Sequence, residues 1–253
     1  MQQFLRVGCV KYLNARPLIH GWRGQVVFDH PSLLCRTLAA GDLDVALVSS
    51  FEFLRNPIYR IVEGVSISSD GPVYSVVVAH KGQFEDLNEI ELDPAAKTSV
   101  NLLRCLLSES RHRPNLIEKS TSLPAGNRGR LMIGDQAIQF RREHSDEFNF
   151  WDLGQEWKKR LSVPFVYALW LVRPEVENAK AIAEQLRATR DDNLRQIEKL
   201  IAQQDDPVFC DHYYRRNLRF SFGTEEQNGL RAFQSLCRKH GLIQKTAPDF
   251  ALV

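Results

Sequence analysis

A short turn near the start of the chain places a polar side chain between a strand and a helix. Residues 7–10 form a brief β-prone run, and Pro17 stands where a helix could begin, because proline needs no N–H in a first helical turn. Asn14 lies between the two. Open α/β sheets bind ligands between the carboxyl end of a strand and the amino end of the next helix. The turn therefore presents Asn14 as a ligand-binding side chain, although a plain capped turn explains the same residues.

Pairs of hydroxyl side chains stand at two further places of this kind. Ser49 and Ser50 follow an apolar strand, and Thr98 and Ser99 precede a leucine-rich helix. Hydroxyls and free N–H groups at the start of a helix can bind a carboxylate, and helix capping explains both pairs about equally well. The chemistry that these positions favour is the binding of an anion.

Two charged residues near these turns have a functional and a structural interpretation. Asp135 begins a helix, where aspartate is more often an N-cap than a base, and in a cleft its charge would oppose an anionic ligand. Arg16 could bind a carboxylate with two hydrogen bonds or pair with a neighbouring aspartate. Tyr12, Trp157 and Trp170 are expected to pack in the core or between lobes, with pocket lining as the alternative.

The cysteines, the histidines and the net charge exclude several classes of function. Five cysteines are spread out with no Cys-x-x-Cys pair, and no histidine has partners at ligand spacing, which argues against a metal site. A formal charge of +2 with scattered basic residues favours neither nucleic acid nor a membrane surface. We find no secretory signal and no run approaching about 18 apolar residues. We therefore expect a cytoplasmic protein with reduced, buried thiols.

Short β-prone runs alternate with helical ones along most of the chain. Strands are expected over residues 7–10, 25–28, 44–48, 58–67, 73–79, 90–93, 130–133 and 165–172. Ser75 is expected inside the fifth of these strands, on one face with Val73 and Val77. Helices are expected over 31–40, 49–55 and 174–204, from 98 and 134 onward, and after a capping box formed by Thr224 and Gln227.

The order of these elements predicts two lobes. Two βα clusters, near residues 1–70 and 90–160, are separated by the strand at 73–79, and the strand at 165–172 leads back to the first cluster. We expect a first lobe of residues 1–73 and 173–253 and a second of residues 74–172, with a hinge and a ligand between them. At 253 residues and 43% hydrophobic content, the chain is long enough to bury a substantial core.

Several blocks, in order over residues 7–170, resemble the chorismate dehydratase family of menaquinone biosynthesis. The blocks are Tyr12-Leu13-Asn14-Ala15-Arg16-Pro17-Leu18, residues 44–54, Gly71-Pro72-Val73-Tyr74-Ser75-Val76, Thr98-Ser99 with the helix that follows, residues 131–137, residues 152–157 and residues 164–170. This sequence departs from the family's pattern at Lys11, at Ser49, near which many members have proline, and at Ser162-Val163, where Thr-Gly-Leu is commoner.

The resemblance implies an α/β fold with two lobes, a hinge and an interlobe ligand cleft, of the type II periplasmic-binding-protein kind. It also implies a carbon–oxygen lyase that converts chorismate to 3-[(1-carboxyvinyl)oxy]benzoate and water in the futalosine pathway to menaquinone. Because loss of water makes the ring aromatic, such an enzyme needs orientation, anion binding and proton handling, and we expect no cofactor and no metal.

The resemblance further implies which residues form the site. Asn14 and Ser75 would be closest to the chemistry, with Asn14 donating to the ring hydroxyl or the enolpyruvyl carboxylate and Ser75 bonding a carboxylate. The substrate's own enolpyruvyl carboxylate is the candidate base. Residues expected to bind the substrate are Tyr12, Arg16, Ser49, Ser50, Gly71, Pro72, Thr98, Ser99 and Asp135. Without the resemblance, Asn14 reads as a cap and Ser75 as a satisfied hydroxyl in a buried strand.

Two other functions remain open at this stage. One is the related 1,4-dihydroxy-6-naphthoate synthase, which is disfavoured because an opening Ser-Pro-Asn-Asp block is absent. The other is a solute-binding protein for a small carboxylate; the missing export signal counts against it, but a fold does not fix a function. A binding protein would hold its ligand unchanged, whereas an enzyme would consume it.

Overall fold

The computed structural model of the chain describes residues 5–93, 96–118, 120–244 and 249–253. Residues 1–4 and 245–248 of the expected first lobe, and residues 94, 95 and 119 of the second, lie outside the described residues. Within the described residues, ten strands form two five-stranded sheets, one in the order β2-β1-β3-β10-β4 and one in the order β7-β6-β8-β5-β9.

Most strands lie close to where the sequence predicts them. The first sheet contains β1 (Val7–Cys9), β2 (Val26–Phe28), β3 (Val45–Ser49), β4 (Arg60–Ser69) and β10 (Phe165–Val172). The second contains β5 (Val76–His80), β6 (Glu89–Leu92), β7 (Asn115–Glu118), β8 (Arg128–Ile133) and β9 (Asn149–Asp152). β1 is parallel to β2 and β3, while β10 is antiparallel to β3 and β4.

Helices connect the strands and cover the sheets. They are α1 (Arg16–Ile19), α2 (Pro31–Ala40), α3 (Ser50–Arg55), α4 (Lys97–Ser108), α5 (Gly134–Glu143), α6 (Leu153–Leu161), α7 (Ala179–Arg195), α8 (Ile197–Ala202), α9 (Pro207–His212) and α10 (Thr224–Lys239). Short 3-10 helices span Leu13–Ala15 and Phe84–Asp86, and a π-helix spans Tyr213–Asn217. Within the described residues, no helix is long and apolar enough to cross a membrane.

Two expected helical features differ from the prediction. The helix expected over 174–204 is divided into α7 and α8, which meet at Gln196. The capping residues of α10 are shifted by one position, because the buried Glu226 carboxylate accepts the Gly223 N–H at 2.9 Å. Arg219 holds Glu226 from the other side at 3.2 Å, so the glutamate is already positioned to cap the helix.

The last strand of the expected second lobe pairs with the first sheet. β10 pairs with β4 from Phe165 to Val172 and with β3 from Ala168 to Val172, and therefore belongs to the first sheet. A strand moves with the sheet that supplies its hydrogen bonds. The second crossing between the sheets consequently lies before Phe165.

An aromatic cluster packs the second crossing against the last helix. The Trp157 and Phe165 rings lie 5.0 Å apart, and Phe233 of α10 lies 4.9 Å from Phe165. At Gly229 of α10, a Cβ would lie only 1.9 Å from the Pro164 carbonyl oxygen, so only glycine permits this close approach. Trp157 and Trp170 are fully buried, which confirms their expected place in the core, and all five cysteines are free and buried.

A buried ion pair in the second sheet makes stability depend on pH. Burial alone would raise the pKa of Glu91, but hydrogen bonds from Arg130 and Ser120 outweigh burial and lower it. The Arg130 Nε–Glu91 Oε2 distance is 2.6 Å. Because the folded pKa lies below the unfolded value of about 4.3, this stabilisation is complete above that value and is lost as the pH falls through the folded pKa.

We expect Glu91→Gln to lower the free energy of unfolding by about 2 kcal/mol at pH 7. Urea unfolding measured from pH 7 to pH 3 should show the difference from wild type shrinking below about pH 4. Asn228→Ala, at an exposed position of α10, is the control that should follow wild type. A constant difference over the whole range would contradict the assignment of this ion pair.

Candidate active site

A cavity between the two sheets is lined by residues of both. The first sheet contributes the segment after β1, the end of β3 and the middle of β10; the second contributes the start of β5 and the end of β8. The amino ends of α4 and α5 complete the wall. The cavity measures about 90 Å³ and is partly open to solvent, so it is narrower than the roughly 300–1,000 Å³ of most small-molecule sites. The ligand site expected between two lobes thus corresponds to a narrow cavity between the two sheets.

Six of the eleven predicted site residues line this cavity, and five do not. The lining residues are Tyr12, Asn14, Ser49, Ser75, Thr98 and Ser99. The residues outside the lining are Arg16, Ser50, Gly71, Pro72 and Asp135. Each of these five residues makes an interaction with other protein groups.

Arg16 and Ser50 hold neighbouring elements in place. Arg16 lies on the outer surface, where its guanidinium donates to the Gln204 side chain. The fully buried Ser50 donates its hydroxyl proton to the Val166 carbonyl at 2.7 Å and so joins α3 to β10. Neither residue is among those that line the cavity.

Ser75 reaches the cavity from a strained turn and not from a strand. Its N–H donates to the Val73 carbonyl at 2.8 Å, which closes a three-residue γ-turn around Tyr74 at φ +66°. A γ-turn with positive φ at its centre is rare and strained, and such strain is concentrated at functional sites. The prediction that Ser75 shares a strand face with Val73 and Val77 is therefore wrong, because β5 begins only after the turn.

A buried carboxylate holds this turn. Asp152 accepts N–H groups from Val73 at 3.1 Å and from Tyr74 at 2.8 Å, and it also caps α6 by accepting the Gln155 N–H at 3.0 Å. Burial raises the pKa of Asp152, while the three N–H groups and the positive charge of Arg141 act in the opposite direction. One carboxylate of the second sheet thus binds both N–H groups that precede Ser75 in the strained turn.

Gly71 and Pro72 shape the chain before the turn. The Gly71 carbonyl accepts the Ser69 hydroxyl at 3.0 Å, and Gly71 has φ +136°, a backbone conformation that side chains rarely adopt. The Pro72 carbonyl accepts the Asn217 side-chain amide at 2.9 Å. These two residues direct the backbone toward Ser75 and do not themselves line the cavity.

The carbonyl and the hydroxyl of Ser75 each accept a hydrogen bond. The Ser75 carbonyl accepts the Gly134 N–H at 2.8 Å, at the start of α5. The Ser75 hydroxyl oxygen accepts the Tyr213 hydroxyl proton at 2.7 Å. Tyr213 is fully buried and stacks on Phe209, with ring centroids 5.4 Å apart.

Asn14 lies in the 3-10 helix after β1, which is held from two directions. The exposed Asp135 accepts the Leu13 N–H at 2.9 Å, and the Tyr214 hydroxyl donates to the Leu13 carbonyl at 3.0 Å. Burial raises the pKa of Tyr213, and the nearby Asn14 side chain acts in the opposite direction. Its Oδ1 is buried and accepts no hydrogen bond from any described residue. Asp135 therefore positions the Asn14 turn, and Asn14 retains an unused acceptor.

Thr98 connects the start of α4 to the first sheet. Its hydroxyl bonds the Ser49 hydroxyl, accepts the Phe51 N–H at 3.3 Å and donates to the Tyr167 carbonyl at 3.2 Å. The helix begins at Lys97, earlier than expected, so Thr98 and Ser99 lie in the first turn of α4 and do not precede it. The N–H groups of that first turn have no partner within the helix and carry positive partial charge.

The charge around the cavity favours an anion. Lys97 is the charged residue among the described residues that line it. Its ammonium lies 3.6 Å from the buried Glu52 carboxylate, which also pairs with Arg55 at 2.8 Å. Two cations thus share one carboxylate, and the excess positive charge lies beside the amino end of α4.

Comparison with known sequences shows which family this arrangement belongs to. A sequence model of the family described as menaquinone biosynthesis matches residues 5–239. The chain belongs to this menaquinone biosynthesis family. The chorismate dehydratase of Thermus thermophilus is 29% identical over 252 residues, with 90% of this chain and 93% of that protein covered. The family resemblance seen in the sequence blocks is confirmed.

Solved structures confirm the expected fold of this family member. A protein of Archaeoglobus fulgidus matches with a TM-score of 0.71 at 14% identity, over 94% of this chain and 98% of that one. The periplasmic aliphatic sulphonate binding protein of Escherichia coli matches with a TM-score of 0.63 at 14% identity, over 96% and 94%. At such low identity the likeness establishes the periplasmic-binding-protein fold alone.

Two residues that contact the Ser75 turn in this member of the menaquinone biosynthesis family were not predicted from the sequence. Asp152 is part of a family-like block, yet its role depends on N–H groups nearly 80 positions earlier in the chain. Tyr213 bonds Ser75 across 138 positions and follows α9 in a π-helix. Insertion of one residue into a helical turn is frequent at functional sites, but the local sequence carried no signal of it.

Gly134 lines the cavity at a position where a side chain would be strained and crowded. It has φ +59°, and a Cβ would lie 3.2 Å from the Tyr12 ring. We expect Gly134→Ala to lower the free energy of unfolding by about 2–3 kcal/mol, from the left-handed backbone and from crowding of the ring. Gly82→Ala is the matched control, since Gly82 has φ +70° in open space; it should lose only about 1 kcal/mol. Equal losses in urea unfolding would rule out the contact with Tyr12.

Proposed function

We propose that this protein is a chorismate dehydratase, a hydro-lyase that forms 3-[(1-carboxyvinyl)oxy]benzoate and water. The observation that carries the proposal is the similarity to the Thermus thermophilus chorismate dehydratase along nearly the whole chain. The cavity supports it, because Asn14 and Ser75, the two residues that the resemblance places at the chemistry, both line this cavity.

The positive end of the cavity would bind a carboxylate of the substrate. The first-turn N–H groups of α4, the Thr98 and Ser99 hydroxyls and Lys97 lie together there. Chorismate is a dianion, so this end offsets part of its charge and sets the orientation of the ring. Ser75 and Asn14 then meet the remainder of the molecule.

Elimination removes a proton from the ring carbon that carries the enolpyruvyl ether and hydroxide from the neighbouring carbon. The two combine as water, and the ring becomes aromatic. Ser75 would donate a hydrogen bond to an oxygen of the substrate, and the Asn14 amide would donate one to the ring hydroxyl oxygen, which takes the electron pair of the breaking C–O bond. No histidine, aspartate or glutamate is among the described residues that line the cavity. We therefore assign the base to the enolpyruvyl carboxylate of the substrate itself.

The chain would be organised as two lobes joined by a hinge. We propose that residues 1–73 and 165–253 form one lobe and residues 74–164 the other, with a hinge at the two crossings between the sheets. Closure about that hinge would exclude water from the ring. We place the enzyme in the cytoplasm, acting on a small molecule and needing no nucleic acid, membrane or cofactor.

The direct test is to incubate purified protein with chorismate and to follow both substrate and product by liquid chromatography. We expect chorismate to disappear and 3-[(1-carboxyvinyl)oxy]benzoate to appear in equal amounts, at a rate that EDTA leaves unchanged. Chorismate that is bound but recovered intact would instead identify a solute-binding protein. No binding and no turnover would rule out the proposal.

A further inference from the structure

The Tyr213 hydroxyl contacts one of the two side chains that the proposed reaction uses. It donates to the Ser75 Oγ at 2.7 Å. Tyr213 is fully buried and is not among the residues that line the cavity. We propose that Tyr213 is a positioning residue whose hydroxyl orients the Ser75 O–H toward the substrate. This inference rests on the proposed function.

The direction of the Ser75 proton follows from the single proton of the phenol. Tyr213 gives that proton to Ser75. Because Ser75 Oγ accepts from Tyr213, its own proton has to be directed elsewhere, and Ser75 lines the cavity. The two hydroxyls thus form a chain with one polarity, from the Tyr213 O–H to the Ser75 O–H, and the substrate would meet a donor from Ser75.

The surroundings keep this chain in place. Tyr213 stacks on Phe209 at an interplanar angle of 15° and begins the π-helix. Two other residues of that helix bond the flanking backbone: Tyr214 bonds the Leu13 carbonyl and Asn217 bonds the Pro72 carbonyl. One five-residue segment therefore holds both the Asn14 turn and the Ser75 turn. Burial raises the pKa of Tyr213, so its hydroxyl keeps its proton at neutral pH.

Removing only this hydroxyl should affect the reaction more than binding. In Tyr213→Phe the Ser75 proton is free to turn away from the substrate. We expect kcat for chorismate to fall about 10- to 100-fold, with KM changed by less than about threefold. In the double variant Tyr213→Phe/Ser75→Ala, the loss should be no greater than in Ser75→Ala, since Tyr213 acts through the serine.

The experiment measures kcat and KM for wild type, the two single variants and the double variant, together with their melting temperatures. The control is Tyr59→Phe, which removes another buried phenol hydroxyl outside the cavity lining and should leave kcat unchanged. Unchanged kcat in Tyr213→Phe would overturn the inference, as would additive losses in the double variant. These results require an active wild type, whereas an inactive wild type would overturn the proposed function and this inference together.

Discussion

Asn14→Ala is expected to lower kcat for chorismate by about 10²- to 10³-fold while the protein keeps a cooperative melt. Asn14 lines the cavity, where its amide would donate a hydrogen bond to the leaving hydroxyl of the substrate. Its backbone is held independently by Asp135 and Tyr214 through Leu13, so loss of the side chain should leave the turn in place. Steady-state kinetics and a thermal melt of the same sample separate the two effects.

Asn228→Ala is the matched control for that variant, because it removes the same side chain from an exposed position of α10. It should retain the kcat and melting temperature of wild type. If Asn14→Ala kept full activity, Asn14 would be removed from the proposed site, while the fold and the cavity would be unaffected.

The second large effect is expected at Asp152. Asp152→Ala leaves the N–H groups of Val73, Tyr74 and Gln155 without their acceptor in a buried place. At about 1–3 kcal/mol for each of the three unsatisfied groups, the free energy of unfolding should fall by roughly 3–9 kcal/mol. Because the same carboxylate holds the γ-turn around Tyr74, Ser75 should also lose its position and kcat should fall.

Asp152→Asn should lower the free energy of unfolding and kcat by less than Asp152→Ala does, because its amide retains one acceptor oxygen. Urea unfolding should rank wild type above Asp152→Asn and Asp152→Asn above Asp152→Ala, and kcat should follow the same order. Should Asp152→Ala unfold like wild type, the carboxylate would not be what holds the turn.

The sequence predicted best those features that depend on neighbouring residues. α2 occupies residues 31–40 as expected, and it ends at Gly41 because that residue takes the left-handed conformation that closes a helix. β10 has the predicted bounds, since a continuous apolar run between Pro164 and Arg173 is long enough for only one buried strand. Asn14 and Thr98 line the cavity because each stands at a strand–helix junction.

Features that depend on distant partners were predicted poorly. The alternation of Val73, Ser75 and Val77 reads as a strand, and only the carboxylate of Asp152 reveals that the chain turns there instead. Arg16 resembles a carboxylate ligand until its partner Gln204, 188 positions away, is known. Local spacing carries no information about such contacts, which are set when the two sheets pack together.

The most direct test of this account is a crystal structure of the Ser75→Ala variant, which should be too slow to consume its substrate, soaked with chorismate. We expect the ring in the cavity between the two sheets, one carboxylate at the first turn of α4, and the ring hydroxyl within hydrogen-bond distance of the Asn14 amide nitrogen. Chorismate bound at any other place, with this cavity left empty, would contradict the account.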